Sequence, residues 1–201
     1  MDKIKPGKVK AEYQGLSREE LLELAYNKGV DYEMYTHSCS QCTVAALHDI
    51  LGFPDILVKC ANSSSGCQAS HFQGTCGGVM GGVMVLDYYF GRPYSMLTDK
   101  PVSAEKDAEL GEALNNATAK VKLLYHRFIK EYGTTVCPSL HVQLYGRVFY
   151  FAEEHDLNTF VGIGGHDDPR TAGHKNTCCQ LVGDSAKFTM EILIDNGGIE
   201  L

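Results

Sequence analysis

The chain is short of positive charge. Its 201 residues carry 18 Lys and Arg against 25 Asp and Glu, a net charge of −7 with the histidines neutral. A nucleic-acid groove needs a basic face, so nucleic-acid binding is excluded. An anionic membrane surface would not attract such a chain either. Long hydrophobic runs are missing as well. The most apolar stretch, Gly77 to Leu86, stops at Asp87, far short of the roughly 20 residues a spanning helix needs. The first residues, Met-Asp-Lys-Ile-Lys-Pro, contain neither an apolar leader core nor twin arginines, so the expected compartment is the cytoplasm. No segment sustains the period-two alternation of a half-buried strand, and no repeat recurs at a fixed period.

Several catalytic and cofactor signatures are also lacking. There is no Gly-x-Ser-x-Gly, so a hydrolase has little support. The single Cys-x-x-Cys is Cys39-Ser40-Gln41-Cys42, followed by Thr43 where covalent haem needs histidine. A zinc ribbon needs a second such pair, and a thioredoxin-type pair needs a strand beside it. The segment Gly162 to Arg170 has glycines and two aspartates but no P-loop lysine, and reads as an exposed connector.

What the chain does have is cysteine. There are eight, in a sequence that is 44% hydrophobic and able to build a core. Outside the cell eight thiols would imply disulfides. In a reducing compartment they point to metal, cluster or redox chemistry.

The pattern predicts an all-α, single-domain bundle of about six helices. Residues 1–35 form an N-terminal arm and a short helix, and 36–201 form a helical cysteine-rich domain. Ser17-Arg18-Glu19-Glu20 is a capping box opening a helix over 17–28, with Lys28-Gly29 as its stop. Val44, Leu47 and Leu51 place a helix at 38–51, ended by Gly52-Phe53-Pro54. A weaker helical segment covers 54–60. A helix at 77–90 carries two glycine stripes, Gly77/Gly81 and Gly78/Gly82. Each glycine costs up to ~1 kcal/mol against alanine, so the stripes need a close contact with a backbone or a cofactor. Leu110, Leu114, Ala117, Val121, Leu124 and Phe128 mark a long seam on a helix at 103–132. A fifth helix at 138–155, a Gly-rich loop at 156–176 and a last helix at 177–195 complete the chain.

Four cysteine sites fall where helices begin: Cys39 (with Cys42), Cys76, Cys137 and Cys178 (with Cys179). A helix N-terminus favours an anion and lowers a thiol's pKa. Four such sites read as one assembled centre rather than as scattered core residues.

Their order is His37-Ser38-Cys39, then Gly74-Thr75-Cys76-Gly77-Gly78-Val79-Met80-Gly81, then Val136-Cys137-Pro138, then Cys178-Cys179-Gln180-Leu181-Val182. From about residue 36 to 194 this resembles the redox-active C_GCAxxG_C_C family. The resemblance implies that Cys39, Cys76, Cys137 and Cys178 hold an iron–sulfur-type group, with an oxidoreductase as redox partner. A cluster wants four thiolates, and [2Fe–2S] is favoured over [4Fe–4S]. Gly77, Gly78 and Gly81 would let backbone approach the cofactor. Thr75 and Gly78 depart from the family pattern, which has glycine and alanine there.

Cys42, Cys60, Cys67 and Cys179 are additional thiols, available as further ligands or redox partners. His71, next to the cysteine-rich loop, is preferred over His37 and His141 as a possible extra ligand. Two other readings stay open: a metal-free thiol–disulfide protein, and a zinc-binding structural or sensor protein. The seam and the glycine stripe could also pair two copies as a homodimer.

Overall fold

A computed structural model of the chain describes residues 6–171, 173 and 177–201. Parts of the expected arm (1–5) and of the expected Gly-rich loop (172 and 174–176) lie outside the described residues.

Helix α1 (Arg18–Thr36) opens on the predicted capping box. Ser17 Oγ accepts from the Glu20 N–H at 3.3 Å, and Glu20 Oε2 accepts from the Ser17 N–H at 2.8 Å. Ser17→Ala is expected to lower stability by about 1 kcal/mol in a urea titration. Gly29 does not stop this helix. A Cβ there would lie 2.9 Å from Gly183 Cα, so the glycine serves a close crossing of α1 over the last helix. The helix continues to a left-handed His37 (φ 58°), and this extension carries Glu33 and His37 to the site.

Helix α2 (Cys39–Leu51) ends on left-handed Gly52, and a short α3 (Ile56–Cys60) follows. Helix α4 (Gly77–Phe90) has the predicted bounds and buries both glycine stripes. Helix α5 (Ala104–Tyr132) is capped by Ser103 and closed by Gly133. Its seam is buried at Ala113, Ala117, Leu124 and Phe128, whereas Leu114 is 47% exposed.

The expected fifth helix is two. Helix α6 (Cys137–Tyr145) ends at Gly146, whose φ of 79° only glycine takes at no cost. Helix α7 (Glu154–Gly162) then starts at the tail of the expected fifth helix and runs into the segment expected to be loop. The Asp156 carboxylate anchors the connection, accepting from the Tyr150 N–H at 2.9 Å and pairing with Arg147. With α8 (Cys178–Asp195) the described residues contain eight α-helices rather than about six.

Helix α8 is the axis of the bundle. It packs against α1, α2, α4 and α5, and buries Leu181, Val182, Ala186, Met190 and Leu193. A fully buried side chain of this size contributes roughly 1.5–3 kcal/mol. Two residue-pair strands, β1 (Gly7–Lys8) and β2 (Ile199–Glu200), pair in parallel. They tie down the described part of the N-terminal arm, helped by a bond from Lys10 N–H to Ile50 C=O at 2.9 Å. No helix among the described residues is long and apolar enough to cross a membrane.

Candidate functional site

The glycine stripes of α4 explain how the cysteines come together. A Cβ at Gly81 would press on Ser40 C=O and lie 2.8 Å from Thr43 Cβ, both on α2. A Cβ at Gly77 would strike Cys39 Sγ itself. On the adjacent stripe, a Cβ at Gly78 would sit 2.8 Å from Ser185 Oγ, and one at Gly82 would meet Thr189 Oγ1, both on α8. The two stripes therefore seat α2 on one side and α8 on the other. Buried Ser40, Ser185 and Thr189 satisfy their hydroxyls on backbone carbonyls nearby, which removes the cost of burying them.

The third approach is made by α6. An isolated antiparallel bridge pairs Thr75 with Val136. Cys76 N–H donates to Thr135 C=O at 2.8 Å, and Cys137 N–H donates to Gly74 C=O at 2.9 Å. This fixes the start of α4 beside the start of α6. Cys39, Cys137 and Cys178 each open a helix, and Cys76 is the N-cap residue of α4.

All four line one cavity of about 50 Å³. Leu181, Val182 and Phe72 supply apolar walls, and among the described residues no Lys or Arg lines it. Three histidines face it: His37, His141 and His166. His37 and His166 stack with ring centroids 4.6 Å apart. His141 lies 3.8 Å from Cys178 Sγ through Nε2, on a bed of Phe72 and Phe160. Glu33 completes the lining, with Oε1 3.5 Å from His166 Nε2 and a buried Oε2 that finds no hydrogen-bond partner among the described residues. His141 Nδ1 is likewise buried and unpaired. The first residue of α8 is held by Tyr145, whose hydroxyl accepts from the Cys178 N–H at 2.8 Å and donates to Gly165 C=O at 3.0 Å.

The thiols do not have the lowered pKa expected of helix N-termini. Burial pushes Cys39 and Cys178 well up, and the Glu33 carboxylate adds to both. Cys76 rises to about 11, burial outweighing the Val79 and Gly78 N–H groups that point at its sulfur. Desolvation of a buried thiolate thus exceeds what one helix end returns. These thiols are neutral unless a positive centre joins them.

Cys67 behaves oppositely. The neighbouring Cys137 side chain, with backbone help from Gly74, lowers it to about 7. Cys137 is driven up in turn by its neighbour Cys67 and by burial.

The remaining candidates separate. Cys42 is buried within α2, and Cys179 is buried with its thiol donating to His166 C=O at 3.2 Å. Cys60 is exposed at the end of α3. His71 is exposed and lines an outer pocket, not the inner cavity. Glu33 and His166 were not legible as site residues. His166 sits in the segment read as an exposed connector, and Glu33 lies beyond the expected end of α1.

A family model described as "Putative redox-active protein (C_GCAxxG_C_C)" matches residues 37–192. The chain belongs to the C_GCAxxG_C_C family. The four cysteines of the C_GCAxxG_C_C pattern, as carried onto this sequence, are the four that meet at the cavity. No match was found among curated proteins or among solved structures.

Proposed function

We propose that this member of a redox-active family holds an iron–sulfur cluster through Cys39, Cys76, Cys137 and Cys178 and passes electrons to an oxidoreductase partner. The observation that carries this reading is that four thiols from four helix starts line one buried cavity.

The donor set fits such a group. Four thiols match its usual ligand count. Their raised pKa values mean that a cationic iron core would stabilise the thiolates, which the protein's own groups do not. Glu33 Oε2 and His141 Nδ1 are buried polar atoms at the same site without hydrogen-bond partners among the described residues. Among the described residues no three His, Cys, Asp or Glu side chains converge closely enough to hold one metal ion. The small cavity suits the compact [2Fe–2S] core better than a cubane. When bound, the group would supply one-electron chemistry. The protein's own part is to hold the thiols, exclude water with Leu181, Val182 and Phe72, and direct the Val79 and Gly78 N–H groups at Cys76 sulfur.

Iron and sulfide analysis of anaerobically prepared variants tests the ligand set. Serine at position 39, 76, 137 or 178 is expected to reduce bound iron at least tenfold. Serine at 42, 60 or 179 is expected to leave it within about twofold of the parent. Equal iron in both groups of variants would refute the assignment.

A further inference from the structure

A fifth thiol stands outside the four-helix set, on an unusual piece of backbone. Gly66, Cys67, Gln68, Ala69 and Ser70 all have positive φ, between 49° and 69°, and Phe72 follows at 54°. A left-handed turn of this length costs an L-residue chain about 1–2 kcal/mol per non-glycine residue. The surroundings hold it in place. Ala69 N–H donates to Ser63 C=O and Phe72 N–H to Gly66 C=O, each at 2.9 Å. Buried Phe72 packs on His141 and Phe151 at 4.9 and 4.7 Å between ring centroids.

The result of this turn is the position of Cys67. Its thiol donates to Gly74 C=O at 3.1 Å, and the same carbonyl accepts the Cys137 N–H at 2.9 Å. One carbonyl therefore gathers both residues, its oxygen taking the Cys67 thiol and the Cys137 N–H together. The two sulfurs face different spaces. Cys137 lines the buried cavity, whereas Cys67 lines an open pocket of about 580 Å³ with His71, Gln73, Gly74 and Thr75. That pocket is lined mostly by uncharged polar residues with Met80 and, among the described residues, His71 is its one ionisable side chain besides Cys67.

We propose that Cys67 and Cys137 form a dithiol that exchanges with small polar disulfides entering the outer pocket. Cys67, as thiolate, attacks one sulfur of the incoming disulfide. The S–S bond breaks, one thiolate leaves and takes up a proton, and a mixed disulfide forms on Cys67. Cys137 then gives up its proton and attacks the Cys67 sulfur. A Cys67–Cys137 bond forms, and the second thiolate leaves and is protonated. The two protein thiols are oxidised by two electrons, and the substrate disulfide is reduced to two thiols. Accessible Cys67 is the attacking residue, and buried Cys137 the resolving one. The exchange needs no metal, and because Cys137 is also one of the four ligands proposed above, it belongs to the metal-free state of the chain.

The test uses the metal-free full chain with glutathione disulfide as probe, alkylation of remaining thiols, and peptide mass mapping. The wild type is expected to yield a linked Cys67–Cys137 peptide. Cys137→Ser is expected to accumulate glutathione on Cys67, at least tenfold above Cys60. Cys67→Ser, a change on a surface turn, is expected to leave Cys137 reduced. The proposal is overturned if Cys67 links instead to Cys60 or Cys76. It is overturned equally if the wild type gives no linked peptide and Cys137→Ser carries no glutathione at Cys67.

Discussion

Gly81→Ala is expected to lower stability by about 2 kcal/mol or more, a drop of roughly 4–8 °C in Tm for a chain of this size. The added methyl has nowhere to go. It would press on the Ser40 carbonyl and on Thr43 Cβ, which are parts of a packed helix and not the free end of a flexible side chain. Better helix propensity returns only up to ~1 kcal/mol of that cost. Gly111→Ala is the internal control. Nothing lies within 4 Å of a Cβ at Gly111 in α5, so that change should raise stability by about 0.5–1 kcal/mol. Urea titrations of the two variants should move in opposite directions. Equal gains would show that α2 and α4 are not in contact through the glycine stripe. Gly77→Ala extends the argument from fold to site, because its methyl would strike Cys39 Sγ.

The second large effect is on pH dependence. Burial lowers His141 from its ordinary 6.5 to about 4, and neighbouring His166 adds to this. The folded protein therefore keeps His141 neutral where the unfolded chain protonates it. The unfolded state binds more protons between those values, so stability is full above about pH 6.5, declines as pH falls towards 4, and levels off below. Such a difference corresponds to about 3 kcal/mol across the window. The measurement is the urea midpoint of metal-free protein at intervals from pH 7.5 to 4. His141→Gln cannot take up the proton and should flatten the decline, whatever it costs in packing. An unchanged slope in that variant would remove His141 from the account.

The parts of the fold legible in the sequence are those with local causes. Helices α2, α4, α5 and α8 are marked by caps, stop residues and apolar spacing, and their observed bounds agree within a residue or two. Gly29 misleads because a glycine that ends a helix and one that lets two helices cross look alike in sequence. Gly146 is the converse case: its left-handed conformation ends α6 early and lets α7 form where a loop is expected. The four cysteines are legible because each stands at a helix start, a local feature, and because their order resembles a family pattern. Glu33 and His166 are not. They reach the cavity only through the extra length of α1 and the path of the chain after α7, and no neighbouring residue signals that. The expectation of acidic thiols fails for a related reason. A helix end can be read from sequence, but the depth at which its first residue is buried cannot.

The most direct measurement is iron, sulfide and zinc analysis of anaerobically reconstituted wild-type protein together with its visible spectrum. The account predicts iron and acid-labile sulfide in equal amounts, two of each per chain for [2Fe–2S], with charge-transfer bands that bleach on reduction. A colourless protein with neither iron nor sulfide after reconstitution, or one holding a single zinc, would contradict it.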